Sequence, residues 1–273
     1  MSTSTKKLKI LWTVDVEDYY MSPESIPVSS WDKKLYPDRI EIGCKNLLAL
    51  FSRYQIRATW FFLGWVAEHH PELVQEVFSA GHEIATHTYD HRPVYSLSPV
   101  EYRESLNRSC NILESITGVP VVGHRAPQWS LRSVMQFPFD ILRERGFLYD
   151  SSVNPVATYL YGEEGAPRKP YLLEGKPALW ELPPATIRLA RRTFSAGGGF
   201  FLRFYPVLFM KWAIRKYNEE GHPAVIHIHP WELDREHPIP RLPRKEYLIH
   251  CWGLRKVEKK MRKLLHYSES ETM

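Results

Sequence analysis

The chain has 273 residues, 44% of them hydrophobic, and a formal net charge of +5. That is enough apolar material for one large α/β domain or two small ones, and too much for a disordered chain. The charge is too mild to demand an anionic partner, and three scattered cysteines (Cys44, Cys110, Cys251) exclude a disulfide frame or a Cys-x-x-Cys zinc knuckle.

The N-terminus is polar and leads into Lys9–Val14, a short apolar run that reads as a first buried strand and ends in acids, Asp15, Glu17 and Asp18. With no apolar signal-peptide core and no segment long enough to span a bilayer, the expected location is the cytoplasm. Ser22–Pro37 reads as a loop. Ile40–Tyr54 carries Ile40, Cys44, Leu47, Leu48 and Phe51 at helical spacing. Arg57–Leu63 is rich in strand formers. Pro71–Ala80 has proline at a helix start and Gly81 just past its end. His82–Thr86 is a short strand that delivers His87 to a loop.

Ser98 and Glu101 form a capping pattern for a helix over Ser98–Thr117, which Gly118 stops. Val121 and Val122 start a strand ending at Gly123-His124-Arg125. A helix over Phe137–Arg145 ends at Gly146, and the chain then runs to Asp150. A Pro- and Gly-rich insertion lies near 155–178. Leu179–Leu182 is a further strand. Gly197-Gly198-Gly199 precedes an aromatic helix over Pro206–Asn218, and no phosphate loop is implied because no Gly-Lys-Ser/Thr follows. Pro223–Ile228 is the last strand and leads to His229. Residues 249–266 read as one basic amphipathic helix, either a solvated face or a peripheral contact with an anionic membrane. No basic, aromatic-interleaved stripe appears before it, so no nucleic-acid partner is expected. The oligomeric state is not legible.

Strand and helix alternate along the chain, which predicts a parallel sheet with helices outside, closed as a barrel. Asp15, His87, Arg125, Asp150 and His229 each follow a strand. In such a barrel the strand C-termini converge on one face, where active sites are built. His87 and His91, at i and i+4, can reach one metal ion. A carboxylate as third ligand leaves an open position for water, as in a catalytic site. Zinc suits this set best, with iron, cobalt or nickel as alternatives.

The motifs Thr13–Asp18, His87-Thr88-Tyr89-Asp90-His91, Arg125-Ala126-Pro127, Tyr149-Asp150-Ser151-Ser152 and His227–Glu232 stand in the order found in one family. The chain resembles the polysaccharide deacetylases with a NodB homology domain, carbohydrate esterase family 4. It is most similar to the branch with the Helicobacter-type peptidoglycan deacetylase, allantoinase-like enzymes and exosortase-associated deacetylases. The resemblance implies a distorted (β/α)7 barrel, with 1–273 forming a single domain, and a metal-dependent hydrolase that removes N-acetyl groups from a glycan. It implies Asp15 as general base, Arg125 as its partner, His229 as general acid and Asp150 as the acid that orients His229. His87 and His91 would be metal ligands, with Asp18 favoured over Glu17 as the third. Trp129 is either a sugar-facing aromatic or core, and Arg203 either contacts an anionic group of the substrate or sits in a plain loop. His227 departs from the family's usual residue and either enters the pocket or packs beneath it. Two other readings stand beside this one: an allantoinase-like cyclic-amide hydrolase, and a non-catalytic glycan-binding module.

Overall fold

A computed structural model describes residues 7–31, 34–158, 161–190 and 192–273. In chain order its first half comprises β1 (Leu8–Val16), α1 (Ile40–Tyr54), β2 (Ala58–Phe62), α2 (Gly64–His69), α3 (Pro71–Ser79), β3 (Glu83–Thr86), α4 (Pro99–Thr117), β4 (Gly123–His124), α5 (Phe137–Arg145) and β5 (Tyr149–Asp150). The second half comprises β6 (Tyr171–Leu173), β7 (Leu179–Glu181), β8 (Thr186–Leu189), β9 (Arg192–Ser195), α6 (Gly199–Phe204), α7 (Val207–Glu219), β10 (Ala224–Ile228), α8 (Arg244–Cys251), α9 (Leu254–Leu265) and β11 (Ser268–Glu269).

Helix boundaries follow local chemistry. The side chain of Ser98 accepts from the Glu101 amide while Glu101 reaches back, a reciprocal cap that starts α4. Gly118 and Gly146 end α4 and α5 in the left-handed conformation. The apolar stripe of α1 (Ile40, Cys44, Leu47, Leu48, Phe51) is buried as its spacing requires.

The main sheet runs in the order β10-β1-β2-β3-β4-β5-β7-β6, with β11 beside β1. Strands β10 through β7 pair in parallel, and only β6 is antiparallel, on β7. The sheet is a half-barrel. Beyond β7 the chain leaves β5, where Leu182 N–H donates to Asp150 O at 2.8 Å. It then reaches β10, where Ala185 N–H donates to Val225 O at 2.9 Å. Parallel strands buried on both faces read as continuous apolar runs, and β2 and β10 are buried throughout. The register fixes the functional rim. Val14 lies level with Ile228, Phe62 with Thr86, Thr86 with His124 and His124 with Asp150. The residues that follow β1, β3, β4 and β10 therefore emerge on one side.

The expectation for the C-terminal segment needs correction. The basic segment 249–266 is not one helix: α8 and α9 are broken at Gly253, which has φ of 75°. A Cβ at Gly253 would lie 2.7 Å from the Arg203 carbonyl oxygen, so the break is fixed by close approach. The apolar side of α9 is also unavailable to a membrane, because Val257, Met261, Leu264 and Leu265 are buried in the core. The glycine run at 197–199 serves backbone approach to β10: a Cβ on Gly198 would meet His227 O at 2.0 Å. The region expected to be an insertion, 155–178, contains β6, and residues 159 and 160 lie outside the described residues. No helix among the described residues is long and apolar enough to cross a membrane.

Candidate active site

Glu17, just past the end of β1, sits between the two histidines that follow β3. Its Oε1 lies 3.0 Å from Nε2 of His87 and 3.0 Å from Nε2 of His91. All three residues are buried. Nδ1 of His87 faces the backbone oxygen of Arg125 at 2.7 Å. A carbonyl only accepts, so that nitrogen carries the hydrogen, and in the neutral ring Nε2 presents a lone pair to the carboxylate. Two lone pairs facing at this distance repel unless a cation lies between them. Second contacts of this kind orient histidine ligands in metal sites. The ligand atoms of Glu17, His87 and His91 lie within 4.8 Å of one another, and two imidazoles with one carboxylate suit a divalent cation. Burial alone would raise the Glu17 carboxyl, but the surrounding imidazoles, His91 first and then His229, hold it well below the usual carboxylate range. Ser22 donates to its other oxygen. The backbone is strained where this set is assembled: Thr88 and His91 have φ of 62° and 58°.

Asp18, favoured from sequence as the third ligand, is turned away. Its oxygens accept the backbone N–H groups of Tyr19 at 2.8 Å and Arg39 at 2.7 Å. Burial pushes its carboxyl up to about 7, despite those hydrogen bonds. The chain bends at this point, with Glu17 N–H donating to Asp15 O and Met21 N–H to Asp18 O, so adjacent acids face different surroundings.

Asp15 is gripped by Arg125, whose Nη1 lies 2.6 Å from Oδ1. The guanidinium is fully buried and also donates to Thr13 Oγ1, Ser151 O and Ser151 Oγ. It stacks between Phe61 and Trp129, 4.1 Å and 4.7 Å from the ring centroids. Burial would raise the Asp15 carboxyl; the Arg125 guanidinium is the largest opposing influence and the carboxyl is held down, so this acid is ionised. Gln128 and Trp129 both have positive φ, 54° and 52°, which folds the turn after Pro127 so that Trp129 lines the cavity.

His229 opens a 3-10 turn after β10. Its Nδ1 donates to Glu232 Oε1 at 2.7 Å, and Glu232 Oε2 forms an ion pair with Arg203 Nε at 3.0 Å. Burial would lower the imidazole, but the carboxylates of Glu17 and Glu232 overcome it and raise it to about 9. This differs from the sequence-based expectation that Asp150 holds His229. Asp150 instead accepts from His124 Nδ1 at 2.7 Å and from Ser152 Oγ at 2.6 Å, with all three groups buried beneath the rim. Arg203 is also not a free surface cation. It is buried, and its Nη1 donates to the carbonyl oxygens of Ile249, His250 and Trp252, closing the end of α8. Glu232 was missed from sequence. His-Pro-Trp-Glu is the pattern of a capping box with proline at the first helical position, and that spacing would have found it.

His227 faces the same cavity from the preceding inward position of β10. Its ring is 5.2 Å from Trp129 and its Nδ1 is buried without a hydrogen-bond partner. Burial pushes it down to about 4, so it is neutral. Asp15, His227 and His229 also offer ligand atoms within 4.8 Å of one another. That trio is less suited to a cation, because Arg125 already occupies Asp15 and Glu232 holds His229. Aromatic and acidic side chains complete the cavity wall, among them Trp231, Phe200, Glu24 and Glu246.

Residues 34–136 match the family model described as polysaccharide deacetylase, and residues 151–273 match a domain of unknown function, DUF3473. The chain is 31% identical over 113 residues to the peptidoglycan deacetylase of Helicobacter pylori. That stretch is 41% of this chain and 38% of the relative, so the chain spans well under half of that protein. In three dimensions it is similar to a Mycobacterium smegmatis protein classed among the polysaccharide deacetylases. That match has a TM-score of 0.61 at 20% identity, over 99% of this chain and 88% of the other. It is also similar to an allantoinase, with a TM-score of 0.59 at 17% identity, over 97% and 85% of the two chains. At such identities the two structures show a common fold.

Proposed function

For a chain that carries a polysaccharide deacetylase domain in residues 34–136, we propose a metal-dependent hydrolase that removes N-acetyl groups from an N-acetylated glycan. The observation that carries this reading is the placement of Glu17 Oε1 at 3.0 Å from both His87 and His91. A fixed carboxylate, Asp15, and a charged imidazole, His229, share the cavity with it.

Glu17, His87 and His91 would hold the divalent cation, zinc by donor type with iron, cobalt or nickel as alternatives. When bound, it supplies Lewis-acid polarisation of an amide carbonyl and acidifies water. Asp15, kept ionised and oriented by Arg125, accepts the proton of the attacking water. As the tetrahedral centre collapses and the C–N bond breaks, His229 gives its Nε2 proton to the departing nitrogen. Glu232 holds the other ring nitrogen, so the imidazole cannot turn away. The products are acetate and a free amino sugar. Trp129 offers an apolar face for a sugar ring, and Arg203 acts through Glu232. The intact acid, base and ligand set supports this over a non-catalytic binding module.

The test is acetate release from a panel of N-acetylated glycans, with metals returned singly to stripped protein. Acetate should appear one-for-one with new amines and vanish in Asp15→Asn, which keeps its metal. If His87→Ala binds metal as well as the wild type, or if Asp15→Asn still turns over, the reading fails.

A further inference from the structure

Three parts of the C-terminal half leave large apolar side chains in solvent. The β8–β9 hairpin exposes Leu189 and Phe194, flanked by exposed Arg188 and Arg192. On α7, Leu208 is 77% exposed, and Trp212, one turn on, is exposed beside it. At the end of α8, Tyr247, Leu248 and Trp252 are exposed, the last at 52%. Scattered exposed apolar residues are ordinary. These are contiguous. The hairpin packs on α7 through Ile187, Ala196 and Ala213, with Phe209 against them. Ring contacts then run from Trp212 to Phe209 (5.5 Å), Phe209 to Tyr205 (4.6 Å), Tyr205 to Phe204 (5.3 Å) and Phe204 to Trp252 (5.9 Å). A continuous patch of this kind marks a surface of interaction.

Its charge selects the partner. Beside Trp212 on α7, Lys211 Nζ lies 3.3 Å from the centroid of the exposed Tyr267 ring, and Arg215, Lys216 and Lys263 are exposed. Arg188 and Arg192 flank the hairpin tip, and Arg241 and Arg244 lie exposed next to Tyr247. Aromatic rings with amphipathic edges, aliphatic tips and a basic rim are the composition of a side that lies in a membrane interface. The face also reaches the active-site cavity, because Phe200 stacks on Phe204 at 5.6 Å and lines the cavity with Ile249.

We infer that this face, built from the β8–β9 hairpin, α6, the exposed side of α7 and the end of α8, docks on an anionic lipid surface. Leu189, Leu208, Trp212 and Trp252 sit at the acyl boundary, and the cavity mouth lies against the membrane. An N-acetylated glycan carried on a lipid would then be presented to Asp15 and His229. That last step rests on the deacetylase reading; the docking does not.

The experiment is flotation of the full chain with vesicles of phosphatidylcholine, with and without phosphatidylglycerol. Wild-type protein should float only with the anionic vesicles, with a blue shift of indole emission. Leu208→Glu and Trp212→Glu should each weaken binding about tenfold or more, as expected for losing the burial of one large apolar side chain. Both variants should fold and release acetate from a soluble acetylated oligosaccharide as the wild type does. Wild type that stays with the soluble fraction would overturn the inference, as would variants that float equally. So would loss of flotation only on neutralising Lys256 and Lys259 of α9, or a wild-type dimer that ignores vesicles and is split by the same two variants. Flotation without acetate release from any glycan would leave the docking intact and remove the deacetylase reading.

Discussion

Glu232 holds the imidazole of His229 at 2.7 Å from three residues further along the same turn, and Arg203 closes on the other carboxylate oxygen at 3.0 Å. The imidazole and its orienting acid therefore belong to one short element, and β10 needs to place only that element. Arg203 ties this turn to the end of α8, because the same guanidinium binds three carbonyl oxygens there. Glu232→Gln removes the charge that favours the imidazolium and offers an amide that can turn the wrong edge to Nδ1. We expect kcat to fall by about a hundredfold or more, the usual worth of a positioned general acid. Metal content should not change. A variant with wild-type kcat would show that His229 needs no carboxylate partner.

Two adjacent acids make the next comparison. Glu17→Gln should lose stoichiometric metal, since the carboxylate between His87 and His91 becomes a weaker neutral donor. Asp18→Asn should retain it. An amide can accept with only one of its two termini, so one of the backbone N–H groups now bound by Asp18 loses its partner. The expected cost is about 1–3 kcal/mol of stability. Metal analysis after dialysis reads the first effect and urea unfolding the second. Metal lost from Asp18→Asn but kept by Glu17→Gln would reverse the assignment.

Much of the frame is legible in the sequence because its signals are local. Ser98 with Glu101, Gly118, Gly146 and the stripe of α1 act within one helix, and each falls where local chemistry puts it. The convergence of Asp15, His87, Arg125 and His229 follows from strand order alone. What fails is what depends on distant partners. Asp18 is consumed by the amide of Arg39, which no pattern near Asp18 announces. Asp150 is consumed by His124, a residue on the neighbouring strand whose level is set by sheet register. The break at Gly253 is enforced by Arg203, fifty positions earlier in the chain. The β8–β9 hairpin was not read because its tip carries neither of the strong two-residue turn signals, and its strands are short.

Asp150 gives a prediction of opposite kind to Glu232. Its carboxylate is fully buried against His124 and Ser152 and does not touch His229. Glu181 lies close by, and burial followed by the charge of Asp150 pushes its carboxyl well above the usual range. Asp150→Ala removes the buried partner of His124 and should cost about 3–5 kcal/mol in unfolding free energy. The folded fraction should keep kcat within a few-fold, with its pH profile unmoved. A large drop in kcat at unchanged stability would restore Asp150 to the chemistry.

His82 supplies a pH dependence away from the metal ligands. Its Nδ1 accepts the Ala58 N–H at 3.1 Å, so it joins the start of β2 to the start of β3 only while that nitrogen is bare. Burial, aided by the charge of Arg57, pushes its pKa down from 6.5 to about 4. A histidine depressed in the folded state binds fewer protons there than when unfolded. Its contribution is therefore fully present above 6.5 and is lost as pH falls from 6.5 toward 4. His82→Asn keeps an acceptor near the same place and cannot titrate. Urea unfolding at steps between pH 7 and pH 4.5 should show wild-type stability falling more steeply than that of His82→Asn, while the two respond alike above pH 7. His250, pushed down to about 3 chiefly by burial, adds a slope of the same sign to both proteins and cancels in the difference. Parallel curves across the whole range would mean that His82 is protonated as readily in the fold as in the open chain.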